Sequence, residues 1–185
     1  MTAALDLLGD SPAGGRILEL GTGSGAVALA LAHERPESVI TATDISQEAL
    51  KIAQENAERL GKADRIRFLE GDGLDPVWGE TFDLVVSNPP YVAERARAGL
   101  APELAHEPDT ALFGGPDGLD VLRRWIEQAP KVLRPGGGLA LEHAPDQVEA
   151  LRTCLAAAGM TQAVTRPDLG GKLRVTTARR PDEGG

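Results

Sequence analysis

Apolar residues recur along this chain in two alternating rhythms. Short apolar runs, too brief for helices, alternate with longer stretches in which apolar residues return every three or four positions. The first kind predicts strands over residues 16–20, 38–43, 66–69, 82–87, 139–142, 161–165 and 173–178. The second predicts helices over 3–8, 26–34, 47–60, 119–133 and 147–158. Punctuation supports these bounds. Pro36 stops the second helix, Ser46 is placed to cap the third, and Gly61 and Gly159 close the third and the last. Strand–helix alternation with short connections predicts right-handed crossovers, hence a doubly wound, mostly parallel α/β sheet covered on both faces. Only a short link through Pro167, Gly170 and Gly171 separates the last two strands, which are expected to pair as an antiparallel hairpin at one edge. Ligands of such sheets bind beyond the carboxyl ends of the strands, where the strand order reverses. Residues 89–117 break the rhythm. Loops of that length are functional or disordered, and Tyr91, Leu112 and Phe113 within it argue against simple disorder.

Composition narrows the class. The 185 residues suit one domain around one core, expected over residues 1–180 with a frayed, flexible tail at 181–185. No apolar run approaches the roughly 20 residues of a membrane span, and Met1 to Asp10 carries neither a basic segment nor a cleavable apolar core. The single cysteine, Cys154, excludes an internal disulfide and fits a reducing, cytoplasmic setting; it falls in an alanine- and leucine-rich helical pattern and reads as inert core. The net charge of -9 counts against a nucleic-acid substrate, because duplex binders present a basic face to phosphates. Basic residues do thicken toward the end, at Arg166, Lys172, Arg174, Arg179 and Arg180, which reads as a solvated face.

Candidate chemistry begins at Glu19-Leu20-Gly21-Thr22-Gly23-Ser24-Gly25, the turn from the first strand into its helix. Glycines there permit a tight turn and close backbone approach to a ligand. The dinucleotide fingerprint is G-x-G-x-x-G; here the third glycine comes one residue early, and Glu19 would repel a diphosphate while suiting a cationic amino group. Asp44 ends the second strand about 20 residues on, where a carboxylate can accept both hydroxyls of a ribose or serve as a turn aspartate. Asp72, inside Gly71-Asp72-Gly73, could accept from an adenine amino group or simply make a turn. Together these sites describe a nucleoside carrying an amino acid, which is S-adenosyl-L-methionine. The arrangement resembles the class I methyltransferase fold, a Rossmann-like seven-stranded sheet whose last strand is antiparallel. The resemblance implies a cofactor site of Glu19, Gly21, Thr22, Gly23, Gly25, Asp44, Ile45, Asp72, Gly73 and Asn88, with S-adenosyl-L-homocysteine as product and no metal.

The fourth strand leaves through Asn88-Pro89-Pro90-Tyr91. Two adjacent prolines remove two backbone donors and stiffen the chain, which a simple turn does not need but fixed carbonyl acceptors do. The stretch resembles the N-P-P-Y motif of methyltransferases acting on planar amino nitrogens: the amino groups of adenine and cytosine, and the amide of glutamine. Such a nitrogen is a poor nucleophile. Acceptors on its two hydrogens, here the Asn88 side-chain oxygen and the Pro89 carbonyl, orient its lone pair and stabilise developing positive charge. Tyr91 can pack over the planar group. No histidine base is required, so His33, His106 and His143 stay outside the catalytic set of Asn88, Pro89 and Tyr91.

A second stretch narrows the substrate. Glu107-Pro108-Asp109-Thr110-Ala111-Leu112-Phe113-Gly114-Gly115-Pro116-Asp117-Gly118-Leu119 resembles the E-P-x-x-A-L-x-G-G-x-D-G-L signature of the release-factor glutamine methyltransferases. Arg123, Leu141-Glu142-His143 and Gly171-Lys172-Leu173-Arg174-Val175 also resemble that family. The resemblance implies methylation of the glutamine of a Gly-Gly-Gln motif in a peptide chain release factor, hence a part in translation termination. A monomer is expected, though no sequence feature sets the oligomeric state. A ribosomal-protein glutamine methyltransferase and a nucleic-acid amino methyltransferase are the rivals. Asn88, Pro89, Pro90, Tyr91 and Glu107 are the expected substrate-binding residues, and Asp117 is expected to cap the helix at Leu119. About 20 residues precede Gly23, so the family's small helical N-terminal domain is expected to be absent; its aromatic after the Asp72 position is replaced by Gly73.

Overall fold

The computed structural model describes residues 2–9, 14–100 and 108–182. Its strands are β1 (Arg16–Leu20), β2 (Val39–Asp44), β3 (Ile66–Glu70), β4 (Phe82–Ser87), β5 (Leu133–Glu142), β6 (Thr161–Pro167) and β7 (Leu173–Arg179). They form one sheet of order β3-β2-β1-β4-β5-β7-β6. All pairings from β3 through β5 are parallel, and β7 runs antiparallel to both its neighbours. The chain thus winds outward from β1 to β3, returns to β4 on the other side of β1, and reverses order between those two strands. That is where a doubly wound sheet opens a crevice.

Burial on both faces explains the continuous apolar runs in the central strands. One face carries α1 (Thr2–Leu8), α2 (Ala26–Glu34) and α3 (Gln47–Arg59), whose Ala4, Ala28, Leu31 and Ala57 pack with Ile17, Ile40 and Leu84. The other carries α5 (Asp120–Val132) and α6 (Val148–Ala157), whose Leu122, Trp125, Ile126, Leu151 and Leu155 pack with Leu18, Val85 and Leu139. The Ser46 hydroxyl accepts from the Ala49 amide at 3.2 Å, making the expected N-cap. Cys154 is partly buried against the second cluster. Among the described residues no helix is long and apolar enough to cross a membrane.

Three expectations shift. β5 begins at Leu133 rather than Leu139, taking in Pro135 and three glycines. Those glycines are strand because of what they touch. A Cβ on Gly138 would lie 2.9 Å from the Leu7 side chain of α1, and Gly136 and Gly137 exchange backbone bonds with Arg180 at 3.1 and 2.8 Å. The register with β4 is irregular between Phe82 and Leu84 as a result. β6 extends to Pro167 as an exposed edge strand; a register shift at Thr161–Val164 and the positive φ of Gln162 kink it, which discourages edge pairing. The long loop contains a 3-10 turn (Glu94–Gly99), the short helix α4 (Asp109–Leu112) and a bridge between Val92 and Phe113.

Candidate active site

Strand register brings the distant motifs together. Leu20 pairs with Thr43 on one side and Ser87 on the other, so Gly21, Asp44 and Asn88 leave adjacent strand ends. The Ser87 hydroxyl donates to the Leu20 carbonyl at 2.7 Å, and the Thr22 amide to the Thr43 carbonyl at 3.0 Å. On the outer side the Gly71 amide donates to the Asp44 carbonyl at 2.9 Å, which sets Asp72 beside the same crevice.

The glycine turn runs through Gly21, Gly23 and Gly25 at φ 65, 56 and 83°, conformations that only glycine adopts without strain. Glu19 is buried at its root, 2% exposed. One of its oxygens accepts from the Thr22 hydroxyl at 2.6 Å and the Ala28 amide at 3.0 Å, fastening the turn to the start of α2. Burial pushes its carboxyl up to about 7, against the pull of those two bonds and with the nearby Asp44 charge adding to the rise. Asp44 accepts from the Gly23 amide at 2.8 Å through one oxygen and from Ser46 at 2.9 Å through the other. It therefore makes a turn and shapes the glycine loop, while each oxygen keeps a further lone pair for a ligand. Ile45, 65% exposed, offers an apolar face next to it.

Asp72 holds a two-pronged ion pair with Arg124 of α5, at 2.5 and 2.6 Å. Gly73 is buried with φ 58°, its carbonyl accepting from the Thr43 hydroxyl at 2.9 Å. The Trp125 indole fills the space behind it. A Cβ on Gly73 would lie 2.4 Å from the indole nitrogen, and one on Gly21 would lie 3.3 Å from its far edge. Trp125 thus underlies both turns, which accounts for glycine at position 73.

Asn88 is exposed, Pro89 buried, and Pro90 and Tyr91 partly buried. The Tyr91 hydroxyl donates to Glu142 at 3.1 Å; burial, then the Glu142 charge, raises its pKa above the ordinary value and keeps it a donor. The second motif is laced to this exit. Val92 donates to the Leu112 carbonyl at 2.9 Å, Gly114 to Val92 at 3.1 Å, and Glu94 to Gly115 at 3.1 Å. A Cβ on Gly114 would lie 2.4 Å from the Pro90 carbonyl oxygen, and one on Gly118 would lie 2.2 Å from that of Tyr91. Glycines here let backbone lie directly on backbone. Asp117 accepts from the Leu119 amide at 3.1 Å, leading into α5, and Arg123 grips both its oxygens at 3.1 and 2.7 Å. That guanidinium holds the Asp117 carboxyl below the usual range. Glu107 and His106 lie outside the described residues. His143 is fully buried, its Nδ1 on the Ala144 carbonyl and its Nε2 on the Thr176 hydroxyl, both at 2.8 Å; burial lowers its pKa, so it is a neutral structural group.

Sequence reasoning missed Arg124, Trp125 and Gln147, all on segments that pack behind the strand ends. Only the apolar spacing of Trp125 on its helix gave a signal, and that signal says core. Among the described residues no cluster of His, Cys, Asp or Glu is placed to hold a metal. The glycine turn contains no basic side chain, has Glu19 at its root and Asp44 at its tip, and leaves open space before Gly23. These acceptors fit a ligand that donates from hydroxyl and amino groups, and they disfavour a diphosphate.

The family model for "Methyltransferase small domain" matches residues 3–147. A release factor glutamine methyltransferase of Xylella fastidiosa is 48% identical over 166 residues, which are 90% of this chain and 60% of that protein. One from Moorella thermoacetica is 46% identical over 168 residues, 90% of this chain and 59% of the other. The chain therefore spans about three fifths of the length of the curated relatives it matches. The crystal structure of a ribosomal protein L11 methylase from Lactobacillus delbrueckii subsp. bulgaricus superposes with a TM-score of 0.67 at 22% identity, covering 94% of this chain and 74% of that one. That likeness establishes the fold. With the family match running from α1 through the Asn88-Pro89-Pro90-Tyr91 exit to the start of α6, this chain belongs to the methyltransferase small domain family.

Proposed function

We propose that this chain methylates the side-chain amide nitrogen of glutamine in the Gly-Gly-Gln motif of a peptide chain release factor, with S-adenosyl-L-methionine as methyl donor. The carrying observation is the placement of Asn88-Pro89-Pro90-Tyr91 at the end of the strand next to the glycine turn, with Gly114 and Gly118 of the second motif packed against its Pro90 and Tyr91 carbonyls. The similarity to curated release factor glutamine methyltransferases supports the substrate.

When bound, S-adenosyl-L-methionine would supply an electrophilic methyl carbon on a sulfonium sulfur, the C–S bonding pair staying with sulfur in the S-adenosyl-L-homocysteine product. Glu19 and the glycine turn would face its amino acid part, Asp44 its ribose hydroxyls, and Ile45 with the Asp72–Gly73 turn its base. Asp72 would share its carboxylate between Arg124 and the adenine amino group. At the substrate, the Asn88 side-chain oxygen and the Pro89 carbonyl accept from the two amide hydrogens of glutamine. That grip turns the nitrogen lone pair out of conjugation and favours positive charge on the nitrogen as the N–C bond forms. The acidic N-methylated nitrogen then releases one proton to water. Tyr91 stays protonated and spans to Glu142, fixing the wall of the site.

The test is methyl transfer from labelled S-adenosyl-L-methionine to purified release factor, beside the same factor with its Gly-Gly-Gln glutamine replaced. Label on the first and none on the second is expected. Cofactor binding without label on the release factor would overturn the substrate assignment for this chain.

A further inference from the structure

We propose that Gln147 is a positioning residue for this reaction, acting through the backbone that follows the acceptor prolines; the inference rests on the reading of the Asn-Pro-Pro-Tyr exit given above. Gln147 ends the short turn Pro145–Gln147 ahead of α6 and is 5% exposed. Its side-chain nitrogen donates to the Tyr91 carbonyl at 2.9 Å and the Gly118 carbonyl at 3.2 Å, with the Asp117 carbonyl at 3.4 Å. Its oxygen accepts from the Ala144 amide at 2.9 Å. One buried amide therefore joins three segments: the exit of β4, the turn into α5 and the exit of β5.

Physical chemistry makes this junction directional. A buried carbonyl deprived of its donor costs about 1–3 kcal/mol, so the backbone would shift to find another. The Tyr91 carbonyl is two residues from that of Pro89, and the stiff Pro90 between them passes a displacement on rather than absorbing it. Misplacing a reacting group by about 1 Å can cost about a hundredfold in rate. Gly118, at φ 77°, leaves the room this amide needs: a Cβ there would lie 2.8 Å from the Gln147 nitrogen. The burial of Gln147 means that it acts on the substrate only through the exit it holds.

Two variants separate positioning from packing. Gln147→Met keeps the shape and removes every side-chain hydrogen bond while leaving the backbone bond to the Ala144 carbonyl. Gln147→Glu keeps the acceptor for Ala144 and presents an acceptor to three carbonyls. In the ligand-free protein, amide exchange at Val92 and Gly114 is expected to speed up at least about tenfold in both, with Leu18 and Val85 unchanged. In the methylation assay kcat is expected to fall about thirtyfold or more, with cofactor Kd and release factor KM within about twofold. Unchanged exchange at Val92 and Gly114, equal acceleration at Leu18 and Val85, or an unchanged kcat would each overturn the inference. A wild-type chain that methylates no release factor sinks the functional reading and the catalytic half of this one. The exchange arm then still decides whether Gln147 holds the exit.

Discussion

Asn88 stands exposed at a strand end between buried Ser87 and buried Pro89, an arrangement that presents one side chain on a fixed base. If its oxygen is one of two acceptors for the glutamine amide, Asn88→Ala lowers kcat at least about a hundredfold while cofactor affinity stays nearly unchanged. Retained turnover in a steady-state assay would remove Asn88 from the mechanism. Glu19 makes a different prediction. Burial raises its carboxyl to about 7 in the folded chain, against 4.5 as the ordinary value. The folded state therefore holds this proton more tightly than the unfolded state. The resulting stability is full below pH 4.5 and is lost as pH rises to about 7, by about 3 kcal/mol. Urea midpoints of the ligand-free protein should fall over that window, and Glu19→Gln should flatten the fall. An identical slope in the variant would mean that other groups cause it.

At the level of elements, local signals set most boundaries. Ser46 is an N-cap in sequence and in space, and Ser46→Ala should cost about 1 kcal/mol, read as a shift in urea midpoint at constant m-value. Where expectation and structure part, a neighbouring element decided. Pro135 and its glycines look like a connection because they lack side chains that favour strand; α1 and the segment after β7 press close enough to make them strand. The segment at 108–118 reads as an irregular loop because it follows backbone rather than a helical or pleated period. Gly114 and Gly118 in it are explained by the Pro90 and Tyr91 carbonyls against which they lie, and Gly115 by the Asp120 side chain.

Across the molecule as a whole, the described residues form one sheet with a core on each face, and β1 and β4 contribute to both: Ile17 and Leu84 to one, Leu18 and Val85 to the other. Neither core can dissolve without exposing the strands the other needs. Far-UV circular dichroism and the fluorescence of Trp78 and Trp125 are therefore expected to report one common unfolding midpoint, and Leu18→Ala and Leu84→Ala should each lower stability by about 2–5 kcal/mol. Separate midpoints for the two probes would show that the faces unfold independently.

The doubly wound fold, the glycine turn, the strand-end carboxylates and the Asn-Pro-Pro-Tyr exit were all legible along the chain. Each rests on a local cause: periodicity that matches helix or strand, glycine where φ is positive, proline where a donor must be absent. Tertiary structure alone decided which partners those residues meet. Arg124 on Asp72, Trp125 beneath Gly21 and Gly73, and Gln147 on the Tyr91 carbonyl join segments 52 to 104 positions apart. Such contacts follow from strand order and helix packing, and a side chain that only holds another segment's backbone leaves no periodic trace in its own.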